Sequence, residues 1–126
     1  MKKIEAVIRP FKLDDVKAAL LAAGVRGLTI TEVRTSGRQP EHMESYRGTR
    51  YVVDLASEMK VELVVPDEAA DRVVDAILLA SRGGGGDETV FVYPVGEAVR
   101  IRTGERGNEA VTTESLQRPR PLRAHG

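Results

Sequence analysis

An α+β domain, with two helices laid on one face of a four-stranded sheet, is the fold class that this chain predicts. Three observations carry that expectation. Runs of period-2 and period-3.6 hydrophobicity succeed one another in the order strand, helix, strand, strand, helix, strand. Proline or glycine closes most of them. The 126 residues suit one domain with a real core, and not two. Two strand–helix–strand halves joined in this way give the βαββαβ split sheet of the ferredoxin-like type.

The first strand is read in Ile4-Glu5-Ala6-Val7-Ile8-Arg9, which ends at Pro10. From Lys12 to Ala23, Leu13, Val16, Ala19, Leu20 and Ala23 recur at helical spacing, and Gly24 is the stop. Leu28 to Arg34 alternates apolar and polar as a half-buried second strand. Met59 to Val65 is the third strand, ended by Pro66. Asp67 and Glu68 place acid in the first turn of the second helix, favourable to its dipole. That helix's buried stripe is Ala70, Val73, Val74, Ile77 and Leu78, and the run Gly83 to Gly86 ends it. Thr89 to Val95 is the fourth strand, with Ala98 to Arg102 as a short extension. The sheet face away from the helices still carries apolar side chains, and self-association into a closed homo-oligomer is the simplest cover.

Composition removes several classes of function. There are 19 basic and 19 acidic residues, so no net field drives binding to nucleic acid or membrane surfaces. Two Phe, three Tyr and no Trp leave few platforms on which bases could stack. The absence of cysteine removes disulfides, thiolate metal sites and cysteine nucleophiles. His42 and His125 have no neighbouring Cys or His in sequence, so no metal site is expected. No apolar run reaches membrane-spanning length and the first residues lack an apolar signal region, so a cytoplasmic location is expected. Beyond Gly104 the chain turns polar and proline-bearing, and 105–126 is expected to be a disordered tail.

Two features carry chemistry. The first is a polar stretch between the second and third strands, from Thr35-Ser36-Gly37-Arg38-Gln39 through Tyr46-Arg47-Gly48-Thr49-Arg50-Tyr51. Connections longer than about a dozen residues without structure of their own are uncommon and tend to be functional, so this one is read as an interaction loop. The second is a set of phosphate-suited groups. Arg38, Arg100 and Arg102 offer planar donor forks, and Gly83 to Gly86 with Asp87 offers bare backbone N–H groups. Arg100 and Arg102 alternate along an extended segment, so both can reach one side. Each feature alone is weak. Their co-occurrence is what points to a nucleotide-phosphate cradle.

Longer motifs then give a resemblance. Met1-Lys2-Lys3-Ile4, Arg9-Pro10-Phe11-Lys12-Leu13-Asp14-Asp15-Val16, Thr31-Glu32-Val33, Gly37-Arg38-Gln39, Tyr46-Arg47-Gly48, Tyr51, Val64-Val65-Pro66-Asp67 and Arg100-Ile101-Arg102-Thr103-Gly104-Glu105 all resemble the PII signalling proteins. The likeness covers residues 1 to about 105. It implies a homotrimer with three nucleotide sites between subunits, a T-loop over 37–55, a B-loop over 82–89 and a C-loop over 100–104, within a domain spanning 1–104. By position it implies Val7, Thr29, Glu62 and Val64 near an adenine. It places Arg38, Gly86, Asp87, Arg100 and Arg102 at the phosphates, with Gly37 and Gln39 beside them, Gln39 orienting a bound metal or effector. The resemblance further implies ATP, ADP or AMP as effector ligands, and a transporter or enzyme as the regulated partner, engaged through Tyr46, Arg47 and Gly48. Tyr51 is the implied position of nucleotidylation, and Thr49 a second modification candidate.

Two departures from the family pattern alter the expected chemistry. The usual B-loop reading, Thr-Gly-Lys-Ile-Gly-Asp-Gly-Lys, is replaced by Arg82-Gly83-Gly84-Gly85-Gly86-Asp87-Glu88-Thr89, so both lysines are absent and Glu88 stands for a glycine. A terminal phosphate about 4 Å from an added carboxylate meets a repulsion of roughly 4 kcal/mol at intermediate dielectric. ATP, the most highly charged nucleotide, suffers most, so ADP or AMP is favoured. Glu58 stands where the family usually has the lysine that holds the carboxylate of 2-oxoglutarate. Loss of that charge-assisted bond, plus repulsion, weakens 2-oxoglutarate by about a hundredfold or more. Such a pattern resembles a carboxysome-associated branch of the family, with bicarbonate as a possible second effector. The alternative is a conventional nitrogen-regulatory member that senses ATP, ADP and 2-oxoglutarate. An acylphosphatase-like enzyme is disfavoured, because Arg9-Pro10-Phe11-Lys12 stands where a glycine-rich phosphate loop would be needed.

Overall fold

In the computed structural model, residues 1–36, 42–46, 49–53, 55–83 and 88–111 are described, with backbone course alone for 42–46 and 49–53. Strands β1 (Lys2–Ile8), β2 (Thr29–Ser36), β5 (Leu55–Val65) and β6 (Thr89–Pro94) form one antiparallel sheet in the order β2-β5-β1-β6. Helix α1 (Leu13–Ala22) links β1 to β2, and α2 (Asp67–Ser81) links β5 to β6. Setting β1 and β5 in the middle is the split arrangement expected of the βαββαβ order.

The two periodicities meet in one core. Alternate residues Ile4, Ala6 and Ile8 of β1 and Val61, Leu63 and Val65 of β5 point to the helices, where Val16, Leu20, Ala69, Ala70, Val73 and Ile77 close over them. Leu78 does not share the buried stripe expected of it and is 44% exposed, while Ala69 takes a buried place instead. A single turn of 3₁₀ helix (Pro10–Lys12) precedes α1, with proline at a position where a missing N–H costs nothing. At the other end of α1, Gly24 adopts φ +94°, and the amides of Gly24 and Val25 donate to the carbonyls of Leu21 and Leu20. Those two bonds satisfy carbonyls left over at the helix end, and the positive φ is what requires glycine there.

Three features depart from the expected layout. The polar connection has structure of its own: β3 (His42–Tyr46) and β4 (Thr49–Val53) pair as a separate two-stranded ribbon, with Tyr46 opposite Thr49. The third strand of the main sheet starts at Leu55 rather than Met59, because Leu55 to Glu58 pair with Val33 to Ser36 of an equally extended β2. The chain beyond Gly104 also folds further than expected. Arg106 bridges Val99, and a short turn, α3 (Asn108–Val111), follows.

The sheet face away from the helices is more polar than its apolar reading implied. Lys3 lies 2.8 Å from Glu62, and Lys60 lies 3.4 Å from Glu62 and 3.6 Å from Glu5. Tyr93 donates to Glu5 at 2.7 Å, and the Lys3 ammonium sits 5.5 Å from the centre of the Tyr93 ring. This ladder holds Glu62 below its ordinary carboxyl value and Lys3 above its own, each chiefly through the bond to the other. The apolar members are Val7, Val33, Ala56, Val64 and Phe91, as the strand register sets them.

Candidate nucleotide site

One end of the sheet carries a cavity of about 580 Å³, within the usual size range of small-molecule sites. Five of the residues singled out from sequence line it: Thr29, Glu62, Val64, Arg100 and Arg102. Strand pairing brings the first three together. Thr29 of β2 is opposite Glu62 of β5, and Val64 is two residues further along the same face. Lys3, Gly27, Leu28, Leu63, Ala110 and Val111 complete the lining and escaped the sequence reading. Lys3 was within reach of it, since its register position is opposite Val64.

Arg100 and Arg102 reach the cavity by a turn and not by the extended segment expected. Val99 and Arg106 pair, the Gly107 amide donates to the Ala98 carbonyl, and the chain reverses over 101–104. Gly104 takes φ +74° and donates to the Arg100 carbonyl at 2.7 Å, while the Arg100 amide donates to the Glu105 carbonyl at 2.8 Å. The turn projects Ile101 fully into solvent and leaves an arginine on either side of it.

The guanidinium of Arg100 is mostly buried, its side chain 11% exposed. Its Nη2 donates to the Ala110 carbonyl at 2.7 Å, and its Nε lies 3.7 Å from the buried Glu105 carboxylate. Glu105 is held in turn by the Thr103 hydroxyl, which donates to it at 2.8 Å. Nε and Nη1 of Arg100 have no hydrogen-bond acceptor among the described residues. A buried donor without an acceptor is costly, so this group is suited to an anion entering the cavity.

The remaining candidates lie elsewhere. Val7 is buried in β1 opposite Lys60 and Thr89, about 13 Å along the strand from Lys3 at about 3.3 Å per residue. The end of β2 and the start of β5, which flank 37–54, and the start of β6 lie at this same end of the sheet as Val7. Gly37, Arg38, Gln39, Arg47, Gly48, Gly86 and Asp87 lie outside the described residues. Tyr46 ends β3, and Thr49 and Tyr51 belong to β4, with Tyr51 opposite Glu44.

This far end mixes carboxylates with cations, Glu32, Glu58 and Glu88 beside Arg9, Lys12 and Arg34. Glu58 is buried at 3% exposure and accepts a bond from the Thr35 hydroxyl. It borders a second cavity of about 390 Å³ with Glu32, Arg34 and Pro10. Burial pushes the Glu88 carboxyl above its ordinary value. The charge of Glu58 adds to that, while Arg9 and Lys12 pull it back. Among the described residues no cluster of three or more His, Cys, Asp and Glu is arranged to hold a metal ion. No described helix is long and apolar enough to cross a membrane.

Known proteins match this chain over the same span as the fold. The family described as "Nitrogen regulatory protein P-II" matches residues 1–105. A "Nitrogen regulatory protein P-II" of Cereibacter sphaeroides is 55% identical over 112 residues, covering 88% of this chain and all of the relative. The protein of the same name from Nostoc punctiforme is 54% identical over 112 residues with the same coverage. "Nitrogen regulatory protein P-II 1" of Escherichia coli is 49% identical, again over 88% of this chain and the whole relative. A βαββαβ sheet, a match that takes in every strand of it, and identities near one half leave one assignment: the chain belongs to the P-II family of nitrogen-regulatory signal-transduction proteins.

Proposed function

We propose that this protein is a cytoplasmic signalling regulator that binds adenine nucleotides between copies of itself and passes the result to a partner protein through its T-loop. The observation that carries the reading is Arg100, a mostly buried guanidinium whose Nε and Nη1 have no hydrogen-bond acceptor among the described residues, set beside Arg102 at a cavity of about 580 Å³. Glu105 stands 3.7 Å from Nε and leaves Nη1 without an acceptor among the described residues, and phosphate matches the arginine fork. The split of the candidate residues between opposite ends of one sheet supports a shared site. Thr29 and Ser36 bound β2 and are about 23 Å apart at roughly 3.3 Å per residue, so one mononucleotide does not bridge both groups within a single chain. A threefold arrangement that sets one end against the other end of a neighbour joins them. Control then follows from the nucleotide's differing affinity for alternative T-loop arrangements.

ADP and AMP are the favoured ligands, with ATP weakened. Glu58 and Glu88 put two carboxylates at the end of the sheet that borders 84–87, and Glu88 is raised by burial first, with the charge of Glu58 adding to it against the pull of Arg9 and Lys12. Added negative charge is least welcome there, which also disfavours the dicarboxylate 2-oxoglutarate. The second effector is a different small anion, and bicarbonate is the one to be screened first. Neither a catalytic role nor a resident metal is part of this reading. Tyr51, and secondarily Thr49, are the positions at which covalent modification is to be sought.

A second reading has its own support. The relatives cited are named nitrogen-regulatory proteins at 49–55% identity, which favours control of nitrogen assimilation with ATP, ADP and 2-oxoglutarate as effectors. Calorimetry separates the two. The proposed variant binds ADP and AMP more tightly than ATP and gives no heat with 2-oxoglutarate in the presence of Mg²⁺ and ATP. Tight, Mg²⁺-dependent joint binding of ATP and 2-oxoglutarate decides for the conventional sensor.

A further inference from the structure

We infer that the C-terminal turn Asn108–Val111 is an internal competitor for Arg100, and that nucleotide binding releases it. The inference rests on the nucleotide reading above and adds a regulatory element to the same cavity. Its basis is the commitment of the Arg100 fork. A guanidinium offers two edges for two-point binding, Nε with Nη2 and Nη1 with Nη2, and Nη2 belongs to both. That nitrogen is the one given to the Ala110 carbonyl, at 2.7 Å. Nη2 carries one N–H on each edge, so a phosphate seated on the edge that the Ala110 carbonyl occupies meets that oxygen, which carries partial negative charge. Ala110 and Val111 also form part of the cavity wall, so the competitor occupies space as well as the donor.

The turn is built to be displaceable. It is four residues long, and a helix that short gains little from cooperativity. None of its residues is buried, and the Ala110 amide closes it by donating to the Gly107 carbonyl at 3.0 Å. The segment before it is firmer. The Val99–Arg106 bridge, the Gly107 to Ala98 bond and the buried Glu105 anchor the chain up to Gly107. Release therefore begins at Asn108 and leaves the arginine turn in place. Glu105 stays beside Nε and serves as the positioning residue that keeps the guanidinium facing the cavity. Occupancy of the cavity would in this way alter the course of the chain after Gly107, an output distinct from the T-loop.

The test uses the full-length chain and ADP. Amide hydrogen exchange of the wild-type protein, with and without saturating ADP, is expected to show faster exchange at Ala110 and Val111 on binding and little change at Arg100 and Gly104. In parallel, Ala110→Pro removes the closing amide and drives Glu109 out of helical backbone. It is expected to bind ADP about two- to tenfold more tightly by calorimetry, the weight of one competing hydrogen bond. Tight ADP binding with unchanged or greater protection at Ala110 and Val111 overturns the competitor alone and leaves the nucleotide reading standing. Should Ala110→Pro fold, by its circular dichroism, and bind ADP no better than wild type, the competitor is likewise overturned. Absence of ADP binding by the wild type overturns both.

Discussion

Glu88 shows how a single residue changes the chemistry of a site. Its carboxyl is raised by burial first and by Glu58 second, so its charged form is disfavoured in the folded chain. A raised carboxyl contributes stability that is fully present below the ordinary glutamate value and is lost as pH rises through the folded value. Near neutrality Glu88 is therefore a burden on the fold. Glu88→Gln is expected to raise the melting temperature at pH 7, with the gap closing as pH falls below the ordinary glutamate range. A thermal-melt series over pH 4–8 checks this, and a lower melting temperature at pH 7 counts against it. Glu62 runs the other way. Its depressed value contributes stability above the ordinary glutamate range that is lost in acid, so Glu62→Gln should destabilise at pH 7 and match wild type in acid. Glu58→Lys reverses the charge at the base of the T-loop. It is expected to strengthen 2-oxoglutarate binding at least about tenfold, read by calorimetry with nucleotide present.

The elements divide by how much core they hold. Helix α2 contributes Val73 and Ile77, both with no exposed surface, so Ile77→Ala is expected to cost about 2–5 kcal/mol in denaturant unfolding. Leu78→Ala, one position on and 44% exposed, should cost far less, and equal costs would contradict the packing described. Such periodic elements are what the sequence makes legible: α1, α2, β1 and β6 all stand within about two residues of their expected bounds. The parts it concealed have physical causes. The first residues of β5, Leu55-Ala56-Ser57-Glu58, show no apolar–polar alternation, and their buried members, Ala56 and Glu58, lie on the face away from the helices. The β3–β4 ribbon is short, five residues a strand, although Arg47-Gly48 between β-prone segments was a usable hairpin signal. Helix α3 has too few residues for any periodicity to appear. Of the cavity lining, Thr29, Glu62, Val64, Arg100 and Arg102 were legible, while Val7 lies at the other end of the sheet and Arg38 outside the described residues. The wall from Ala110 and Val111 was not legible, because it depends on a turn that only the folded chain defines.

At the scale of the whole molecule, the central issue is that one chain carries its candidate residues in two separated groups. Sedimentation at micromolar concentration is expected to give a particle of three chains, and a single-chain particle would remove the shared site. The charged ladder from Lys3 to Tyr93 makes the sheet face less apolar than its alternation implied, so the association is expected to weaken with salt. The account as a whole turns on whether Arg100 and Arg102 bind an adenosine phosphate. Calorimetric titration of ADP into the wild-type protein and into the Arg100→Ala, Arg102→Ala double variant measures this directly. The prediction is saturable binding by the wild type and a loss of about a hundredfold or more in the variant. Equal affinities, or no heat from the wild type with ADP or AMP, would contradict it.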